Sequence, residues 1–139
     1  MEKELSDEIE IPEQETTRIL VMDDEEMILD ILTESLSLLG YTVDTAIDGE
    51  RAIEKYIKAD KQGRPFDVVI MDLTIPGGKG GEDTIAELLD INPNVKAIVS
   101  SGYSTGKVMS NPAKYGFKGR LVKPFKMESL KNELLKVLN

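Results

Sequence analysis

Three apolar segments of this chain stop abruptly at charged residues. They are the runs at 19–22, 68–71 and 121–122, which are followed by Asp23-Asp24, by Asp72 and by Lys123-Pro124. Short, uninterrupted apolar runs are typical of parallel strands that are buried on both faces. Because the carboxyl ends of parallel strands meet at one edge of a sheet, we expect three carboxylates and one ammonium group to converge in a single crevice.

Strands and helices alternate along the chain after residue 17. The apolar and turn patterns predict strands at 18–22, 41–46, 66–71, 95–100 and 119–122, and helices at 25–39, 50–59, 82–90 and 127–138. Between 104 and 115 the helical pattern is poor, because Gly106 and Pro112 both interrupt it. Alternating elements of these lengths predict an α/β domain whose parallel sheet is covered by helices on both faces.

The first predicted helix, at 25–39, has apolar residues at helical spacing. Its predicted buried face consists of Met27, Ile28, Ile31, Leu32, Ser35, Leu38 and Leu39. Gly40 follows at a position suited to end the helix.

Residues 1–17 differ from the rest of the chain. They are rich in Glu and Asp, contain Pro12 and show no sustained periodicity, which predicts a flexible acidic arm or linker. Residues 18–139 are then predicted to form one domain, long enough to bury a core. No apolar run approaches the roughly 18 residues needed to cross a bilayer, so we expect no membrane insertion by this segment and a cytoplasmic location.

The composition excludes several kinds of site. The chain has neither cysteine nor histidine, so it can build no Ser-His-Asp relay, no thiol nucleophile and no zinc site with Cys or His ligands. For the same reason it cannot carry a phosphohistidine, and any such phosphoryl donor must lie elsewhere. The net charge of −9 argues against nonspecific binding of nucleic acid, whose backbone would be repelled.

The predicted crevice indicates a divalent cation. Carboxylates crowded together repel one another, and a cation among them favours their ionised form. A site with oxygen ligands only favours Mg²⁺ over a transition metal. The strand ends alone therefore point to a magnesium site beside a lysine, which suits phosphoryl chemistry.

Four motifs in order carry a resemblance to a known family. Asp23-Asp24 after the first strand, Asp72 after the third, Ser101-Gly102 after the fourth and Lys123-Pro124-Phe125 after the fifth resemble the receiver domain of two-component signalling. The resemblance covers roughly residues 18–139. It implies a flavodoxin-like (βα)5 fold, with a doubly wound parallel sheet of five strands in the order 2-1-3-4-5.

The resemblance also implies a role for each acid. Asp72 matches the phosphoacceptor, which takes a phosphoryl group from a phosphohistidine on a partner. Asp24 matches a direct Mg²⁺ ligand, and Asp23 matches an outer ligand that acts mainly through water. The backbone carbonyl of Thr74 is expected to complete the protein's share of the metal ligands.

The remaining motifs imply a switch. Lys123 is expected to form an ion pair with Asp72 before the reaction and to contact the phosphoryl oxygens afterwards. Ser101, rather than the adjacent Ser100, is expected to donate its hydroxyl to the phosphoryl group and so to draw its loop inward. Pro124 is expected to follow a cis peptide bond.

Two features bear on the wider protein. Arg120 occupies the position, three residues before the lysine, where many receivers carry Tyr or Phe. The stretches 77–81 and 100–103 look most like receivers that are fused to hybrid sensor histidine kinases. The expected partner is therefore a sensor histidine kinase or a phosphotransfer protein, and the expected oligomeric state is a monomer or weak dimer.

Other interpretations compete with this one. Singly, Asp23 or Asp24 could cap a helix, Asp72 could end a strand in a turn, and Lys123 could be a solvated charge. The main functional alternative is a Mg²⁺-dependent phosphohydrolase with an aspartyl nucleophile, like the haloacid dehalogenases. Such enzymes carry a second Asp two residues after the nucleophile, where this chain has Thr74. A third possibility is a docking platform without phosphotransfer. We favour a signalling module that is not an enzyme, with at most slow loss of its own phosphoryl group.

Overall fold

The computed structural model describes residues 16–139, so the predicted arm at 1–17 lies outside the described residues except for its last two. Five strands and five α-helices alternate in this part of the chain. The strands are β1 (Arg18–Met22), β2 (Thr42–Ala46), β3 (Val68–Asp72), β4 (Ala97–Ser101) and β5 (Gly119–Val122). The helices are α1 (Glu26–Leu38), α2 (Gly49–Lys61), α3 (Gly81–Ile91), α4 (Lys107–Ser110) and α5 (Met127–Leu138).

The strands form one parallel sheet in the order β2-β1-β3-β4-β5. This order confirms the predicted flavodoxin-like fold. The predicted bounds of β1, β5 and α5 agree with the structure, and the other predicted strands and helices end within two residues of the observed positions. The carboxyl ends of all five strands therefore lie at one edge of the sheet.

Each face of the sheet has its own apolar core. Alternate residues of β1 enter opposite cores, because successive side chains of a strand point to opposite faces. Leu20 and Met22 pack with residues of α2 and α3, whereas Ile19 and Val21 pack with residues of α1 and α5. The sheet is thus a central layer with α2, α3 and α4 on one face and α1 and α5 on the other, and only its ends are left to form a site.

The predicted buried face of α1 is wrong in part. Leu32 is buried, and Ile28 and Leu39 pack against the core, but Met27, Ile31 and Leu38 are exposed. The buried residues of this helix are Leu29, Leu32 and Leu36, whereas Met27 is 73% exposed and Leu38 is 75% exposed. The helix is apolar on two sides, so the spacing of its apolar residues alone is compatible with burial of either side. The stripe through Met27 and Leu38 also contains Glu34, and the observed face leaves that charge in solvent.

The connection between β4 and β5 is interrupted, as the sequence predicts. The helix α4 has only four residues, and a 3₁₀ turn at Pro112–Tyr115 follows Asn111. Proline has no backbone N–H and therefore cannot continue the helical hydrogen bonds. Within residues 16–139, no helix combines the length and the apolar character that are needed to cross a bilayer.

Candidate functional site

Charged side chains from three strand ends gather at the carboxyl edge of the sheet. Asp23 follows β1, Asp72 ends β3, and Lys123 follows β5. The Lys123 Nζ atom lies 2.7 Å from Asp23 Oδ2 and 3.5 Å from Asp72 Oδ1. The lysine therefore bridges two carboxylates, and it lies closer to Asp23 than to the residue with which the sequence paired it.

Three carboxylates of this cluster offer oxygen atoms to a common point. One oxygen each of Asp23, Asp24 and Asp72 lies within 4.8 Å of the others. Asp23 is 1% exposed and Asp72 is 7% exposed, whereas Asp24 lies at the solvent-exposed rim. An all-oxygen set that is open to water on one side fits Mg²⁺, which usually keeps several water ligands.

The electrostatics of the cluster show an excess of negative charge. Burial, together with the charge of Asp23, raises the pKa of Asp72 to about 6, although Lys123 opposes the shift. Burial also works against the charged form of Lys123, but its hydrogen bond with Asp23 and the charge of Asp72 outweigh burial and raise the pKa of the lysine. One ammonium group thus fails to balance these acids, and a divalent cation would relieve the remaining repulsion.

Asp23 also forms a hydrogen-bonded turn just before α1. Its Oδ1 atom accepts a hydrogen bond of 2.9 Å from the backbone N–H of Glu25. Its Oδ2 atom accepts the hydrogen bond from Lys123. Asp23 does not cap α1, because Glu25 is the N-cap residue and no side chain of residues 16–139 bonds to the first turn of this helix.

Ser101 lies at the carboxyl end of β4 and is buried, as is Ser100. Its Oγ atom accepts a hydrogen bond of 3.1 Å from the backbone N–H of Tyr103, within its own loop. The link from Ser101 to the charged cluster runs through the backbone, because the Lys123 N–H donates to the Ser101 carbonyl over 2.7 Å. The Lys123–Pro124 peptide bond is cis, which confirms that expectation.

The loop after Asp72 contains a contact that the sequence analysis missed. Thr74 is exposed in this loop. Further along, the Gly49 N–H donates to the Lys79 carbonyl over 2.8 Å, and the Thr84 Oγ1 atom donates to the Gly80 carbonyl over 2.7 Å. A Cβ atom at Gly49 would overlap with Thr84, and one at Gly80 would overlap with the carbonyl oxygen of Leu73. These glycines therefore permit close packing. The sequence signal at this position is the Asp48-Gly49 dipeptide, which by itself predicts only a turn.

The chain matches known proteins over most of its length. A model of the response regulator receiver domain family matches residues 19–135. The chemotaxis protein CheY of Thermotoga maritima is 36% identical over 121 residues, which are 86% of this chain and 96% of that protein.

Two solved structures have similar folds. The response regulator protein TrrA of Thermotoga maritima, in complex with Mg²⁺ and BeF, has a TM-score of 0.76 and 32% identity, covering 88% of this chain and 100% of that one. A chain of the CheX–CheY–BeF₃–Mg²⁺ complex of Borrelia burgdorferi has a TM-score of 0.80, covering 88% of this chain and 90% of that one. Its identity is 24%, so this second likeness concerns the fold alone.

Proposed function

The chain belongs to the response regulator receiver domain family, and we propose that its Asp72 accepts a phosphoryl group from a phosphohistidine of a partner protein. The observation that carries the proposal is the cluster of three acidic side chains and Lys123 at the carboxyl edge of the sheet. The partner class is a sensor histidine kinase or a phosphotransfer protein. That the domain is part of a hybrid kinase, and that it acts in the cytoplasm, stay predictions.

The proposed reaction begins with a carboxylate oxygen of Asp72. This oxygen attacks the phosphorus atom in line with the bond to the donor's imidazole nitrogen, which leaves with the electron pair as the bond breaks. The products are an aspartyl phosphate and an unmodified histidine. The reactive form of Asp72 is the ionised one, which prevails above its pKa of about 6.

Lys123 and Ser101 are proposed to receive the phosphoryl group. The ammonium group of Lys123 lies 3.5 Å from Asp72, close enough to neutralise charge on a phosphoryl oxygen attached there. Ser101 keeps a hydroxyl hydrogen to donate, because its recorded hydrogen bond uses the oxygen as acceptor. Donation by Ser101 to the phosphoryl group would draw the loop after β4 inward.

Asp23, Asp24 and Asp72 are proposed to hold Mg²⁺, together with the backbone carbonyl of Thr74. When bound, Mg²⁺ would neutralise the charge that develops on the phosphoryl oxygens. The fit is supported by the three converging carboxylates and by the excess of negative charge around Asp72.

The phosphohydrolase alternative is less well supported. A haloacid-dehalogenase-like mechanism needs an acid two residues after the nucleophile, and the hydroxyl group of Thr74 at this position is too weakly acidic to serve as a general acid. The docking-platform alternative leaves the buried, mutually repelling acids without a purpose, since such groups destabilise a fold. We therefore propose a signalling role with at most slow hydrolysis of the aspartyl phosphate.

The direct experiment is to incubate the protein with Mg²⁺ and acetyl phosphate and to record the intact mass. We expect addition of one phosphoryl group, no addition to Asp72→Asn, and wild-type addition to Asp90→Asn, which removes an exposed carboxylate of α3. Repeated turnover of general phosphate esters would favour the phosphohydrolase. A wild-type protein that acquires no phosphoryl group would contradict the proposal.

A further inference from the structure

One side-chain contact links β5 with the interrupted helix α4. Pro112 ends the helical stretch of α4, and Arg120 lies on β5, three residues before Lys123. The Nη1 atom of Arg120 donates a hydrogen bond of 2.5 Å to the backbone carbonyl of Met109, the third residue of α4. Arg120 therefore binds the helix that Pro112 ends.

Pro112 explains why the Met109 carbonyl needs a side-chain partner. In a continuing α-helix this oxygen would accept from the N–H of Ala113, four residues later. Pro112 breaks the helix, so Ala113 lies in the separate 3₁₀ turn that follows α4. Outside the hydrogen bonds internal to the helices and strands, no backbone N–H of residues 16–139 donates to it. Met109 is fully buried, and an unpaired buried carbonyl is costly. The guanidinium group of Arg120 meets this need.

Arg120 is itself well anchored. Its backbone N–H donates to Glu133 Oε2 on α5 over 2.8 Å, which satisfies a donor of the edge strand β5. The close approach depends on Gly119, because a Cβ atom there would lie 2.5 Å from the same oxygen. The residue thus connects α4 with a strand whose position α5 fixes.

The contact closes a ring of covalent and hydrogen bonds around the candidate site. From Ser101 the chain runs through residues 102–106 into α4, and the Met109 carbonyl binds Arg120. From Arg120, β5 leads to Lys123, whose N–H donates back to the Ser101 carbonyl. An inward movement of Ser101 that is transmitted along residues 102–106 would strain or release the bond between Arg120 and Met109.

We propose that Arg120 is a positioning residue that holds α4 against β5 and so restrains the loop after Ser101 in the unphosphorylated protein. The restraint on α4 stands on the contacts alone, whereas its effect on switching rests on the proposed function of Asp72 and Ser101. Loss of the guanidinium group would loosen α4 and would make the inward movement of Ser101 easier.

The first test measures hydrogen exchange of residues 107–116 in the metal-free, unphosphorylated protein. We expect Arg120→Met to speed exchange there roughly tenfold, the effect of losing one hydrogen bond to a charged group. The matched control is Lys118→Met, which removes an exposed positive charge two residues earlier. In a Pro112→Ala background the helix can continue and bring the Ala113 N–H to the Met109 carbonyl, so the effect of Arg120→Met should shrink. Unchanged exchange, or an equal effect in both backgrounds, would overturn the proposal.

The second test separates switching from simple stability. The protein is titrated with beryllofluoride in the presence of Mg²⁺, and the NMR signals of residues 101–106 are followed. We expect Arg120→Met to lower the half-saturating concentration several-fold, and Arg120→Lys to lie between it and the wild type. A lower melting temperature with an unchanged midpoint would mean a merely structural role and would refute the restraint on switching. A wild-type protein whose NMR signals do not respond to beryllofluoride would refute the proposed function and the switching effect. The hydrogen-exchange measurement would still test the restraint on α4.

Discussion

The raised pKa of Asp72 predicts that removing its charge stabilises the metal-free protein. The perturbation is Asp72→Asn, which keeps the shape of the side chain and resembles the protonated acid. Burial and the neighbouring Asp23 disfavour the ionised form of Asp72, and Lys123 compensates only in part. At neutral pH the native wild-type protein therefore contains an ionised carboxylate that its surroundings disfavour, which lowers its stability. The variant does not carry this free-energy cost.

The size of the effect follows from the shift. The pKa of Asp72 is about 6 in the folded protein against an ordinary value of 3.8. One pKa unit corresponds to about 1.4 kcal/mol, so the upper limit is about 3 kcal/mol. Because the site is open to water at Asp24, solvent screening reduces the expected gain to about 1–2 kcal/mol.

The pH dependence follows from the direction of the shift. The folded protein binds the proton more tightly than the unfolded chain, so this contribution to stability is fully present below pH 3.8 and is lost as the pH rises through about 6. The advantage of Asp72→Asn should therefore be largest above pH 7 and should fade as the pH approaches 4.

The assay is urea unfolding of the metal-free protein at several pH values, with the free energy of unfolding obtained by linear extrapolation. The control is Glu54→Gln, which removes an exposed carboxylate in the middle of α2 and should change stability by less than about 0.5 kcal/mol. Saturating Mg²⁺ should stabilise the wild type more than the variant. An Asp72→Asn protein that is less stable than the wild type at pH 7.5 without metal would refute the reasoning.

Three further predictions concern the same edge of the sheet. The affinity for Mg²⁺, measured by calorimetry, should fall as the pH drops below about 6, because Asp72 must lose its proton to act as a ligand. An affinity that is constant from pH 7.5 to 5 would contradict this prediction. Lys123→Met should lower the free energy of unfolding of the metal-free protein by about 1–3 kcal/mol, because Asp23 and Asp72 lose their shared cation. Added Mg²⁺ should restore much of this lost stability. Gly49→Ala should lower the free energy of unfolding, measured by thermal unfolding, by about 1–3 kcal/mol, because its Cβ atom would overlap with Thr84. The control Gly102→Ala should be close to neutral, because no atom lies within 4 Å of its Cβ position. Equal stabilities of the two variants would contradict the packing argument.

The sheet and the cluster could be predicted because both depend on strand ends. Uninterrupted apolar runs identify buried parallel strands, and a parallel sheet brings the residues that follow them to one edge. Asp23, Asp72 and Lys123 meet for this reason, although they lie far apart in the chain. The preference of Lys123 for Asp23 was not predictable, since it depends on differences of less than 1 Å between neighbouring carboxylates.

Other features depend on contacts that no local pattern encodes. The buried side of α1 was predicted wrongly in part, because the helix is apolar on two sides and only the position of the sheet decides between them. The sequence shows that Pro112 interrupts a helix, but it cannot show that Arg120 binds a carbonyl of that helix. Such partnerships need three-dimensional coordinates.

The ion pair between Asp23 and Lys123 joins residues that are 100 positions apart. During synthesis, Asp23 and Asp72 therefore leave the ribosome well before Lys123, the lysine that stabilises them. Contacts of such long range form late in folding, because closing a large loop costs entropy first. A prematurely terminated chain that lacks β5 would carry Asp23 and Asp72 without this cation.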